Sequence, residues 1–222
     1  MKKTYTLFLF ILLICSFSFV KAKTEENDMN LLGKVIYLDA GHGGLDPGTI
    51  YKNIYEKDIN LSICKKLQEI LEKSGAIVYL TRYDDYDLST SNYARKKSDL
   101  NNRVKIINNS KADIYISIHL NSIKSSTWSG AQVFYDDVNK KNLELANLMQ
   151  KQLKTDLKTN REVKEIKDIL LNRKVIIPGI LIEAGFLSNP NDRYKLRQSE
   201  YQYKLAESIK RGIIKYFSSS NI

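Results

Sequence analysis

The sequence predicts an α/β domain of three layers, a mainly parallel twisted central sheet covered by helices on both faces. Short apolar runs alternate with amphipathic helical stretches along the chain. The runs are apolar at successive positions, as strands covered on both faces must be. No internal repeat or low-complexity tract breaks the alternation across 222 residues, a length that buries one full core. The 43% apolar content, with 14 Tyr and 7 Phe, excludes overall disorder, and two cysteines exclude a disulfide scaffold.

Residues 1–22 read as an export signal: Lys2 and Lys3, an apolar run from Thr6 to Val20, then Lys21 and Ala22, with cleavage before Lys23. The run is shorter than the roughly 20 residues that span a bilayer, and bulky Ile14 before Cys15 argues against a lipoprotein site. Residues 23–33 form a short polar segment, 34–217 the globular domain and 218–222 a polar tail. Loss of the signal removes three lysines and no acid, lowering the formal charge from +10 to +7. A basic exported protein is drawn to polyanions. Wall polymers fit that location better than nucleic acid, for which no recognition motif is present.

KVIYLDA (34–40) is a short apolar run stopped by GHGG, which reads as a buried strand entering a tight loop. Ile59, Ile63, Leu67, Ile70 and Leu71 recur at helical spacing between Glu56 and Lys73, and Ser74-Gly75 closes that helix. AIVYLT (76–81) is a strand and 82–97 a loop. A helix from Ser98 to Asn109 would use Ser98 as its cap and place Leu100, Val104 and Ile107 on one side. ADIYISI (112–118) and GAQVFYD (130–136) are strands, and 139–157 is a helix carrying Leu143, Ala146, Leu153 and Leu157. Within the ambiguous stretch 160–175, DILLN reads as a short strand. GILIEAG (179–185) is the last strand, and the polar FLSNPND leads to a helix over 199–217.

The chain has two histidines, His42 and His119, each expected just beyond an apolar strand. If those strands are parallel, both imidazoles reach the crevice at their carboxyl ends. Glu183 lies inside the apolar ILIEAGF run, where a carboxylate is costly without a cation beside it. Glu56 opens the first helix, a place that the helix dipole also favours for an ordinary acid. Two His and one Glu form a known zinc set with an open fourth position, and a spare carboxylate suits a general base. The residues alone therefore point to a metal hydrolase, without HExxH. Cys64 sits on the apolar side of its helix as a small core residue, and neither a GxSxG elbow nor a Walker Lys-Ser/Thr pair is present.

Four ordered blocks, LDAGHGGLDPG, YEKDINLSICKKLQEILEKSGAIVYLTR, DIYISIHLNS and ILIEAGFLSNPND, resemble the zinc-dependent N-acetylmuramoyl-L-alanine amidases of the amidase type 3 family, from about Lys34 to Phe217. The resemblance implies that His42, Glu56 and His119 hold Zn2+ and that Glu183 is catalytic. Ala184 stands where the resemblance leads one to expect Gly or another small residue, a departure that leaves the pattern intact. RYDDYDLSTSNYARKKSDLNNRV is similar to the sporulation and germination subgroup. That implies action on spore-cortex peptidoglycan, exported to the cell wall or forespore intermembrane space, as a step with a muramic acid deacetylase towards muramic-δ-lactam. The alternatives are a vegetative wall amidase, a zinc carboxypeptidase on the same stem peptide, and a non-catalytic wall-binding protein. Loops too short for a blocking helix, and the lack of a wall-binding repeat, imply a separate exported activator or targeting protein.

Overall fold

The computed structural model describes residues 29–219, so the export signal at 1–22 lies outside the described residues. Strand β1 (Val35–Ala40) is followed by the hairpin β2 (Ile50–Tyr51) and β3 (Ile54–Tyr55), which feeds helix α1 (Glu56–Lys73). Then come β4 (Ile77–Leu80), α2 (Arg95–Asn108), β5 (Ile114–Asn121), β6 (Gln132–Tyr135), α3 (Lys141–Leu157) and β7 (Lys164–Glu165). The chain closes with α4 (Leu170–Lys174), β8 (Gly179–Phe186), α5 (Pro190–Leu196) and α6 (Ser199–Ser219).

The main sheet has the order β4-β1-β5-β8-β6-β7. All its pairings are parallel except β6 against β8. From β1 the chain crosses by α1 to β4 on one side, then from β4 by α2 to β5 on the other side of β1, so the strand order reverses between β1 and β5. Ligands bind at such a switch point, outside the carboxyl ends of the strands.

Helices α1, α3 and α6 cover one face over a large core that includes Ile36, Leu38, Ile63, Leu67, Leu145, Ile182 and Ile209. The five apolar positions expected on α1 are all buried, and Cys64 beside them is fully enclosed and free. The other face is covered more thinly, by α2 and α4 over Tyr37, Ile107, Tyr115, Leu171 and Val175. A crevice lined by Asp39, Leu171, Leu181 and Glu183 opens on that face. No helix among the described residues is long and apolar enough to cross a membrane.

Four local expectations change. Helix α2 starts at Arg95 rather than Ser98, because the Ser98 hydroxyl accepts from Thr90 N and holds the preceding loop instead of capping. Its buried stripe is Asp99, Arg103 and Ile107, with Leu100 and Val104 only half-buried. DILLN is not a strand: Leu170–Lys174 is a helical turn that lays Leu171 into the smaller core. On α3, Leu143 is 45% exposed. The buried face there is turned to Asn142, which bonds Gly179 N and the Asp136 carbonyl. Lastly, FLSNPND contains a helix start, since Asn189 accepts from Asn191 N and Asp192 N ahead of Pro190 at the first turn.

Candidate metal centre

His42 leaves the carboxyl end of β1 in a left-handed conformation, φ 62°. That backbone turns the imidazole back over the sheet. Gly41 before it has no alternative, because a Cβ there would stand 2.3 Å from the His119 ring. The Asp46 carboxylate lies 2.9 Å from His42 Nδ1. A proton held on Nδ1 leaves the Nε2 lone pair on the side of Glu56, 3.2 Å away.

Glu56 is the first residue of α1, delivered by the β2–β3 hairpin and only 3% exposed. Its Oε1 accepts from Leu120 N at 3.0 Å and Asn60 Nδ2 at 3.3 Å, and its Oε2 from Thr49 N at 2.8 Å. Gly48, at φ +66°, keeps this approach open, since a Cβ there would meet Glu56 Oε2 at 2.7 Å. His119 lies inside β5 rather than beyond it, because β5 continues to Asn121 on its pairing with β8. Its Nδ1 is 3.1 Å from Glu56 Oε1, and its ring meets that of His42 edge-on at 5.0 Å between centroids.

One ligand atom from each of His42, Glu56 and His119 lies within 4.8 Å of the others. Burial pushes Glu56 up, but the hydrogen bonds of His119 and His42 outweigh it and hold the carboxyl well below the usual range. Burial pushes His42 down, but Asp46 and Glu56 outweigh that and raise it to about 9. Without a cation the cluster therefore traps a proton between carboxylates. Two imidazoles and one carboxylate, with a charge deficit and an outer carboxylate orienting one ring, fit a zinc ion that displaces that proton.

Glu183 is the parallel neighbour of His119 on β8. Its Oε2 is shielded from solvent and has no hydrogen-bond partner among the described residues. Burial chiefly, helped by the Glu56 charge, lifts this carboxyl to about 7. A carboxyl poised there can both take and return a proton near neutrality. The crevice around it encloses about 370 Å³, with Asp39, Lys96, Leu171 and Leu181 among its walls.

Sequence reasoning missed what holds the loop. Arg103 is 1% exposed and donates from Nη1 to Asp39 Oδ1 (2.7 Å) and the Ala40 carbonyl (2.8 Å), and from Nε to Asp99 Oδ2 (2.9 Å). Arg82, equally buried, donates to the carbonyls of Ala40, Gly41 and Lys57. Ser117 and Thr81 hydroxyls complete the shell of Asp39. Burial pushes Asp39 up, yet Arg103 outweighs it and the group settles at about 2. The available signal was Asp99 and Arg103 one helical turn apart, on the stripe that Ile107 continues.

The N-acetylmuramoyl-L-alanine amidase model named Amidase_3 matches residues 36–215. The chain is 44% identical over 220 residues to the germination-specific N-acetylmuramoyl-L-alanine amidase of Bacillus subtilis (strain 168), covering 94% of this chain and 92% of that one. Among solved structures it is similar to the CwlD amidase from Clostridioides difficile, solved in complex with the GerS lipoprotein. The TM-score is 0.80 and the identity 44%, over 84% of this chain and 99% of that one. An N-acetylmuramoyl-L-alanine amidase from Clostridium difficile 630 superposes with TM-score 0.76 at 36% identity, over 84% of this chain and 97% of that one. A strand order that opens its switch point onto two imidazoles and two carboxylates, together with a family match from the first strand to the last helix, means that the chain belongs to the Amidase_3 family of N-acetylmuramoyl-L-alanine amidases.

Proposed function

We propose that this chain hydrolyses the amide between the lactyl group of N-acetylmuramic acid and the L-alanine of the peptidoglycan stem peptide, with zinc held by His42, Glu56 and His119. The observation that carries the reading is the convergence of those three donors beside the Glu183 carboxyl, which lines the same crevice and has an oxygen without a hydrogen-bond partner among the described residues. Zinc, when bound, supplies Lewis acidity, which acidifies water and polarises a carbonyl. Glu183 accepts the proton of the attacking water and returns it to the departing alanine amine. Asp46 fixes the His42 ring, and Arg103 and Arg82 fix the backbone that carries it. The crevice wall of Leu171 and Leu181 limits water around the reacting amide.

Similarity to a germination-specific relative supports action on spore-cortex peptidoglycan, ahead of a muramic acid deacetylase in forming muramic-δ-lactam. The apolar run at 6–20 supports export. The complex of a similar amidase with a lipoprotein supports a separate exported partner for this chain too. Purified chain is expected to release free stem peptide from muropeptides, seen by mass analysis, and to stop when zinc is chelated. Release of single amino acids instead would identify a carboxypeptidase and reject the reading.

A further inference from the structure

We propose that Arg161 is a substrate-binding residue, which holds a free carboxylate of the stem peptide on the amino side of the bond that is cut. The inference rests on the amidase reading. Parallel pairing sets His119 beside Glu183, and antiparallel pairing sets Gln132 of β6 on the other side of Glu183. Residues directly opposite each other share a face of the sheet, so His119, Glu183 and Gln132 stand in one row. The Gln132 side-chain oxygen accepts from Arg161 twice, from Nε at 3.0 Å and Nη2 at 2.6 Å. The row that begins at the metal cluster thus ends at a guanidinium.

That guanidinium is held in place but not neutralised. It lies 4.6 Å over the Trp128 ring and 5.5 Å from that of Phe186. Among the described residues no carboxylate stands within 4.0 Å of it, and Nη1 has no hydrogen-bond partner, whereas Lys96 faces Asp46 and Arg103 faces Asp39 and Asp99. Arg82, which also lacks an ion pair, spends its guanidinium on backbone carbonyls instead, whereas Arg161 bonds a single side-chain oxygen and keeps Nη1 uncommitted. Trp128 beside it is 50% exposed, so the platform is open to a ligand.

Direction along the row follows from the proton transfer. Glu183 returns its proton to the leaving amine, so the peptide lies on the Glu183 side of the metal cluster, towards Gln132 and Arg161. Adjacent strands are about 4.8 Å apart, and an extended peptide advances about 3.3–3.6 Å per residue. The residue after L-alanine is therefore the first that can extend its side chain towards Arg161. In peptidoglycan that residue is an acidic amino acid, and its free carboxylate matches a guanidinium fork.

The test measures equilibrium binding of two intact disaccharide-tripeptide muropeptides, one with that carboxylate free and one with it amidated, to the zinc-loaded Glu183→Gln protein. Peptide release by the protein with Glu183 intact is followed in parallel. Adding Arg161→Gln is expected to weaken binding of the free acid about tenfold or more and of the amide less than about threefold. Arg161→Lys, which keeps the charge but loses the fork, is expected to fall between. Equal weakening of both ligands, or of neither, would overturn the proposal. If peptide is released while no carboxylate preference exists, this proposal fails and the amidase reading stands; if no peptide is released, the amidase reading fails and the proposal, which rests on it, falls with it whatever the binding preference.

Discussion

Arg103 donates from Nη2 to the main-chain carbonyl of His42 at 2.7 Å, joining two residues 61 positions apart. The bond ties helix α2 to the turn that aims the imidazole. Because the same guanidinium also answers Asp39 and Asp99, Arg103→Met leaves two buried acids without their cation. Loss of one partner from such a group costs about 3–5 kcal/mol. The expected outcome is a large fall in melting temperature by calorimetry with weaker zinc binding. Arg103→Lys is expected not to restore either, since one ammonium cannot reach the five acceptors that the planar fork spans.

Glu183→Gln separates chemistry from metal. The amide keeps the shape but cannot take a proton, so peptide release is expected to fall about 10²–10⁴-fold. Zinc content by elemental analysis is expected to stay at the level of the unaltered protein. His119→Ala is expected to lose both together.

Gly41→Ala tests the close approach of the β1 turn to β5. A methyl at 2.3 Å from the His119 ring must displace it. Zinc stoichiometry is expected to drop with activity, while far-ultraviolet circular dichroism stays that of a folded α/β protein.

Asp39 sets an acid limit on the metal-free protein. Its carboxyl is held at about 2 against an ordinary 3.8, so the folded state favours its charged form. That stabilisation is complete above about pH 4 and drains away as pH falls towards 2. Denaturant melts between pH 5 and 2 are expected to show a steeper loss for the unaltered protein than for Asp39→Asn, whose stability is lower at pH 5 but flatter.

Zinc is expected to raise the melting temperature by mass action, about 2.7 kcal/mol at a hundredfold excess over the dissociation constant. The effect should weaken at lower pH, since a metal must displace the proton that His42 holds with a pKa near 9. Titrations of the apo protein at pH 6 and 8 check the direction.

The alternation of strands and helices, and the four residues that the fold brings together (His42, Glu56, His119 and Glu183), were legible because apolar periodicity and unusual polar insertions are local signals. Ile59, Ile63 and Leu67 announce α1 by spacing alone, and Glu183 stands out against ILIEAGF. Arg82 and Arg103 do not stand out, because a buried arginine is paired by residues far along the chain and its spacing resembles that of a solvated one. The antiparallel setting of β6 was hidden for a related reason: strand direction depends on which neighbour is paired, not on the strand's own residues. Leu170–Lys174 misled because five residues are too few to display either period.

Strand β8 is the last strand in sequence yet lies between β5 and β6. Strands β6 and β7, although they come earlier in the chain, have no edge to join until β8 has entered. Glu183, to which the proposed mechanism gives the proton transfer, arrives on that same strand. A chain in which only β4, β1 and β5 have paired therefore lacks both Glu183 and the strand against which β6 pairs, so one insertion supplies the candidate proton carrier and the seat for the wall beyond it.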